Sequence, residues 1–267
     1  MTWTDIHSHI LPGFDDGASS DEEFLEMARI AVEGGTSVIA ATPHYDLEST
    51  SLELHEIAVA VEDYNVLLRE TGVPLCLIPG VEVRINAGLL QLAEKGVGLE
   101  DLCLGKNGKC MLVELPLVDM PLPTMDVFFY IQLHGMIPIL AHPERNRYLV
   151  KHPSMVREIV ERGVEMQVNS GSLEGMFGKS AKRTAQSLLK EDAARLVASD
   201  AHSPRGRNPD LSRVAGALNG SLGAEAADLI LDVNPSRVLD GGELISITGS
   251  LRHKDGPKRK RFWRRPG

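Results

Sequence analysis

Thr4-Asp5-Ile6-His7-Ser8-His9-Ile10-Leu11-Pro12-Gly13-Phe14-Asp15-Asp16-Gly17 opens the chain as a strand running into a loop. Strand side chains alternate between faces, so His7 and His9 point the same way, with Asp5 behind them on that face. Two imidazoles so placed can grip one divalent ion, and Pro12, Gly13 and Gly17 mark a loop that returns Asp15 or Asp16 over it. Alone, a His-x-His pair is as common without a metal as with one. The weight comes from what recurs along the chain.

Apolar, β-branched runs at 37–42, 73–83, 110–116, 137–141, 164–168 and 195–199 read as further strands buried on both faces. Amphipathic or capped stretches at 20–33, 51–70, 154–162 and 180–191, and one ending near His134, read as helices between them. Seven strand-like segments alternating with helices imply a parallel sheet with right-handed crossovers, and this many units in one domain suggests a closed (β/α) barrel. Ionisable residues stand at strand end after strand end: His7, His9, Asp15 or Asp16, His44, Glu82, Glu114, His142, Asp200 and His202. In a β/α barrel those ends converge on one face. Each residue alone could cap or face solvent. Five imidazoles and about four carboxylates without thiolates suit Mn, Fe or Zn in a multinuclear cluster.

The bulk numbers narrow the class. A chain of 267 residues with 43% hydrophobic content can bury one sizeable core. A net charge of -9 and a pI of about 5.5 argue against nucleic acid as a partner. No apolar stretch is long enough to span a bilayer and no signal-peptide core is visible, so a cytoplasmic protein is expected. Cys76, Cys103 and Cys110 are odd in number and lack C-x-x-C spacing, which points to buried, reduced thiols. None is followed by the arginine of Cys-x5-Arg, so no thiol nucleophile is available for phosphate chemistry. Gly175-Met176-Phe177-Gly178-Lys179-Ser180 lacks the Walker spacing, because Leu173 occupies the first glycine position; it reads as a loop near the site.

Asp5-Ile6-His7-Ser8-His9 with Asp15-Asp16-Gly17, Thr42-Pro43-His44, Gly80-Val81-Glu82, Val113-Glu114-Leu115-Pro116, Ala141-His142-Pro143-Glu144-Arg145-Asn146 and Ser199-Asp200-Ala201-His202 form an ordered set. Over roughly residues 4–240 that set resembles the polymerase-and-histidinol-phosphatase (PHP) superfamily. Within it the set is most similar to the bacterial capsule and exopolysaccharide type of manganese-dependent protein tyrosine phosphatase. The resemblance implies an α/β fold, a distorted seven-stranded (β/α) barrel, over 1–250, holding three divalent ions, Mn with Fe or Zn as alternatives. One ion would take His7, His9, Glu82 and Asp200; a second Asp16, His44 and His202; a third Glu82, Glu114 and His142. Asp16, directly before Gly17, matches better than Asp15, but the residues themselves leave the choice open. Tyr45 follows His44 where relatives often carry a second histidine.

The implied activity is hydrolysis of phosphotyrosine on a protein partner, a membrane-associated tyrosine kinase regulating capsule or exopolysaccharide synthesis. A metal-activated hydroxide would attack phosphorus while Arg145 and Arg207 clamp the phosphate as catalytic residues. Arg205 in the same loop competes with Arg207 for that role. A small-molecule phosphoesterase such as a histidinol phosphatase is the alternative on the same ligands, and a non-catalytic regulatory binding protein is an alternative of another class. After Ser250 the composition turns basic and aromatic through Arg252, Lys254, Lys258-Arg259-Lys260-Arg261 and Phe262-Trp263. This 251–267 tail could touch an anionic membrane peripherally, placing the protein at the inner membrane face, or could be simply solvated.

Overall fold

The structure, a computed structural model, describes residues 2–248. The basic tail expected over 251–267 lies outside the described residues. Nine parallel strands are present among the described residues: β1 (Trp3–Ser8), β2 (Thr36–Ala41), β3 (His44–Tyr45), β4 (Cys76–Pro79), β5 (Glu82–Arg84), β6 (Cys110–Glu114), β7 (Ile137–Ala141), β8 (Glu165–Asn169) and β9 (Leu196–Ala198). They form two sheets, ordered β1-β2-β4 and β3-β5-β6-β7-β8-β9. The expected single closed ring is therefore not a continuous ladder among the described residues.

The two extra strands lie beside one gap. Run 37–42 ends at Pro43 as expected, where proline has no N–H to donate, and the short β3 follows it; run 73–83, expected whole, is cut beside it at Gly80-Val81. Ala41 pairs with Pro79 before the break and His44 with Glu82 after it. Single bonds from Gly80 N to Ala41 O and from Glu82 N to Pro43 O cross the gap. At the opposite seam, Asp200 N donates to His7 O and His9 N to Ala201 O, both at 2.8 Å. A parallel bridge joins Ser8 to Ala201 there.

Alternation gives the strands two apolar faces. Ile6, Ala40, Leu112, Ile139, Leu196 and Ala198 make an inner cluster with Leu104 and Val238. Ile39, Leu77, Val83, Met111, Leu140, Met166 and Val197 belong to the larger cluster that also takes in the helices. Helix Asp21–Glu33 starts as expected: Ser20 Oγ accepts from Glu23 N and three acidic residues fill its first turn. Helices Leu54–Glu70, Thr124–Leu133, Pro153–Glu161 and Gly178–Lys190 lie where the sequence places them. Helix Ala87–Lys95 and the helical run from Ser212 to Leu239 are additions, their amphipathic signal blurred by Gly88, Gly216, Gly220 and Gly223. Cys103 and Cys110 are buried free thiols as expected, but Cys76 is exposed, because the sheet-edge strand β4 turns it outward. No helix among the described residues is long and apolar enough to cross a membrane.

Candidate metal centre

The chain reaches the strand ends through strained or crowded backbone. His142, directly after β7, has φ 33°, and Asp200, just beyond β9, has φ 51°; both are left-handed conformations unfavourable for residues with a Cβ. Gly17 lies so close to β1 that a Cβ there would sit 1.9 Å from His9 O, so only glycine lets the 13–17 loop fold back over the site. That loop is held by Ala18 N donating to His9 O and Gly17 N donating to Asp15 Oδ1.

All nine strand-end residues meet. His7, His9, Glu82 and Asp200 are almost fully buried, Glu114, His142 and His202 nearly so, and His44 and Asp16 form the open side. Among the described residues, ligand-capable atoms cluster within 4.8 Å of one another in four groups: His9 with Asp16, His44 and His202; His7 with Glu82 and His142; His7 with His9 and Asp200; and His44 with Glu82 and Glu114. Glu82 is central. Its Oε1 lies 2.9 Å from His142 Nε2 and 3.2 Å from His7 Nε2, and its Oε2 lies 2.8 Å from His44 Nδ1. The groups differ from the implied sets in placing His142 with His7 and Glu114 with His44 around that carboxylate.

Fixed acceptors orient three of the imidazoles. His7 Nδ1 donates to Gln167 Oε1 at 2.9 Å, His9 Nδ1 to Asp15 Oδ2 at 2.5 Å, and His202 Nδ1 to Asp200 O at 3.0 Å. Because each acceptor is an oxygen, a ring proton sits on Nδ1 and Nε2 is the nitrogen that faces inward, its lone pair open to a cation in the neutral ring. His7 Nε2 and His9 Nε2 lie only 3.2 Å apart. His44 Nδ1, Glu82 Oε2 and His202 Nε2 are buried with no hydrogen bond; the 2.8 Å approach of His44 to Glu82 lacks hydrogen-bond geometry. Converging lone pairs without donors are what divalent cations would satisfy, and the mixed nitrogen and oxygen set suits transition metals. The donor set thus fits metal ions.

The electrostatics agree. Burial alone would lower the His9 imidazole, but its bonds to Asp15 and Asp200 and the Glu82 charge raise its pKa to about 10. His7 is raised to about 8, burial again being outweighed by the charges of Glu82 and Asp200. Glu82, despite burial, is held well below the usual carboxylate range by the charge of His7, the hydrogen bond from His142 and the nearness of the His44 imidazole. Without metal these carboxylates draw protons onto the imidazoles; a cation there would play the same part.

Asp15 and Asp16 separate by position. Asp15 is hidden behind His9 and also accepts from His44 N, whereas Asp16, its side chain 68% exposed, faces His44 Nε2 at 3.5 Å and His202 Nε2 at 3.3 Å. Arg145 Nη1 donates to Asp200 Oδ2 at 2.6 Å and Arg207 Nη1 to the same oxygen at 3.3 Å, so both guanidiniums border the cluster. Arg145 is stacked 4.2 Å over the Phe177 ring. Asp5, behind β1, accepts from His7 N and Ser199 N.

Three features escaped sequence reading. Gln167 relays through Asn169 Oδ1 to Asp200, a chain of buried amides that reads as ordinary strand. Arg84 donates to Glu114 Oε1 through Nε and Nη2 from just past Glu82. Phe177 reaches Arg145 from the glycine-rich loop, whose nearness to the site was the one available signal.

A family model described as capsular polysaccharide synthesis, CpsB/CapC, matches residues 3–240. Tyrosine-protein phosphatase YwqE of Bacillus subtilis (strain 168) is 37% identical over 221 residues, which cover 83% of this chain and 85% of that protein. The crystal structures of YwqE and of CpsB from Streptococcus pneumoniae are described as unique metal-dependent tyrosine phosphatases. One of their chains superposes with a TM-score of 0.83 at 34% identity, covering 91% of this chain and 96% of that one. Histidinol phosphate phosphatase of Lactococcus lactis, at 14% identity and a TM-score of 0.50 over 85% of this chain and 94% of its own, shares the fold.

Proposed function

Because the chain belongs to the CpsB/CapC family of capsular polysaccharide synthesis proteins, we propose that it is a metal-dependent protein-tyrosine phosphatase. The observation that carries this reading is the nine-residue cluster with unsatisfied inward lone pairs, bordered by two arginines that share one carboxylate oxygen. On this reading the interrupted sheets are a distorted seven-stranded barrel, and its domain spans 1–250. The support is that backbone hydrogen bonds bridge both seams.

We assign His7, His9, Asp16, His44, Glu82, Glu114, His142, Asp200 and His202 as ligands of three divalent ions, Mn being the first choice. When bound, the ions would neutralise phosphate oxygens and make a water acidic enough to attack at neutral pH. The protein groups do the rest. Glu82 reaches three imidazoles from the centre of the cluster and would bridge between ions. Arg145 and Arg207 each spend one N–H on Asp200 and retain others to hold the phosphoryl oxygens. Phe177 and Asp200 together fix the Arg145 plane, so the clamp is set before substrate arrives.

The partner on this reading is a membrane-associated tyrosine kinase, met from the cytoplasmic side, with residues 251–267 supplying contact to anionic lipid. The test is metal content and rate on one preparation. Three Mn per chain with faster turnover of a phosphotyrosine peptide than of histidinol phosphate supports the reading. Equal rates on both indicate a small-molecule phosphoesterase, and metal binding without turnover of either indicates a regulatory binding protein.

A further inference from the structure

We propose that the groove beside Arg145 receives the peptide flanking the phosphotyrosine and selects a substrate with an acidic residue close to the phosphorylated position. This rests on the phosphatase reading and narrows its substrate class. The groove, about 480 Å³, is lined by Leu117, Arg145, Arg147, Val150, Lys151 and Phe177, among others. It is continuous with the metal cluster, because Arg145 lies at once on Asp200 and on Phe177.

Its two sides are built differently. One is the loop after β6, pinned by Asn146 Nδ2, which donates to Pro116 O and Asp119 O, and by Arg147 N, which donates to Leu117 O. Although its backbone is fixed, the loop turns apolar side chains to solvent: Leu117 is 46%, Val118 64% and Leu122 99% exposed. Apolar side chains on a pinned loop beside a reactive site mark a contact surface. The other side carries Arg147 and Lys151, both exposed, and no carboxylate pairs with either among the described residues. Glu144, the acid in the lining, is turned away: its Oε1 accepts from Asn169 N and Ser172 Oγ.

Arg147 and Lys151 make this side locally positive on a chain of net charge -9. Next to an apolar rim they complement an extended peptide with one apolar and one anionic side chain. A concave groove leading out of a phosphoester site fits the chain that bears the phosphoester better than it fits a flat lipid surface.

The experiment compares kcat/KM, with Mn added, for two phosphotyrosine peptides that differ only in having Glu or Lys beside the tyrosine. The full-length protein should favour the Glu peptide by about fivefold, the scale of two exposed charge pairs. In the Arg147→Glu, Lys151→Glu double variant that ratio should fall to one or below. Equal rates on the two peptides, or a preference that survives the double substitution, would overturn the groove assignment and leave the phosphatase reading intact. No turnover of either peptide would overturn both. A Glu preference abolished instead by anionic vesicles, with the double variant failing to bind them, would assign the groove to lipid and overturn the peptide proposal.

Discussion

At the scale of single residues, Glu82 and the acceptors behind the imidazoles do different work. Glu82→Gln removes the charge on which three imidazoles converge, and turnover of a phosphotyrosine peptide should fall at least about 100-fold. Gln167→Leu keeps the volume but leaves His7 Nδ1 without its acceptor. Mn affinity should weaken about tenfold, read by titration, while the fold is retained. Every proposed ligand stands in a short motif at a strand end, which is why the set was legible in the sequence. Gln167, Asn169 and Phe177 were not, because a buried amide on a strand or an aromatic ring in a loop carries no local mark of what it touches. Asp15 and Asp16 are told apart only by coordinates: one faces a ring nitrogen already committed to it, the other faces the Nε2 atoms of His44 and His202.

At the scale of elements, the crowded turn after β1 and the paired strand breaks place the ligands. Gly17→Ala forces the 13–17 loop off His9 O, so stability should drop by about 1–3 kcal/mol and Mn content should fall with it; thermal unfolding and metal analysis on the same sample test this. Most strands and their intervening helices were readable because buried apolar runs and caps are local signals. The end of β2 at Pro43 was readable too, but the short β3 beyond it and the break at Gly80 were not. That Pro43 and Gly80 lie side by side, and so divide one sheet into two, depends on the register of β2 against β4. The helices beyond residue 203 were missed because small residues and glycines dilute their pattern.

At the scale of the whole molecule, the cations should hold the strand ends together. Chelation should lower the melting temperature by about 5–10 °C for each ion whose free concentration stood near 100 times its dissociation constant. The metal-free protein should then acquire its own pH dependence. His7 and His9, raised to about 8 and about 10 against burial by neighbouring carboxylates, add stability in full below the unfolded imidazole value of about 6.5 and lose it as pH climbs through their folded values. The urea midpoint of chelated protein should therefore fall between pH 6.5 and 10, and Mn should remove that decline by replacing the protons. The first strand, paired on one side with β2, meets its second lateral neighbour only when residues 199–201 arrive, since Asp5, His7 and His9 all bond to that segment through Ser199, Asp200 and Ala201. A nascent polypeptide still on the ribosome short of that point has no Asp200 or His202 to contribute. On the proposed ligand set, translation must pass residue 202 before a dephosphorylating centre can assemble, and a product terminated before that point should be inactive.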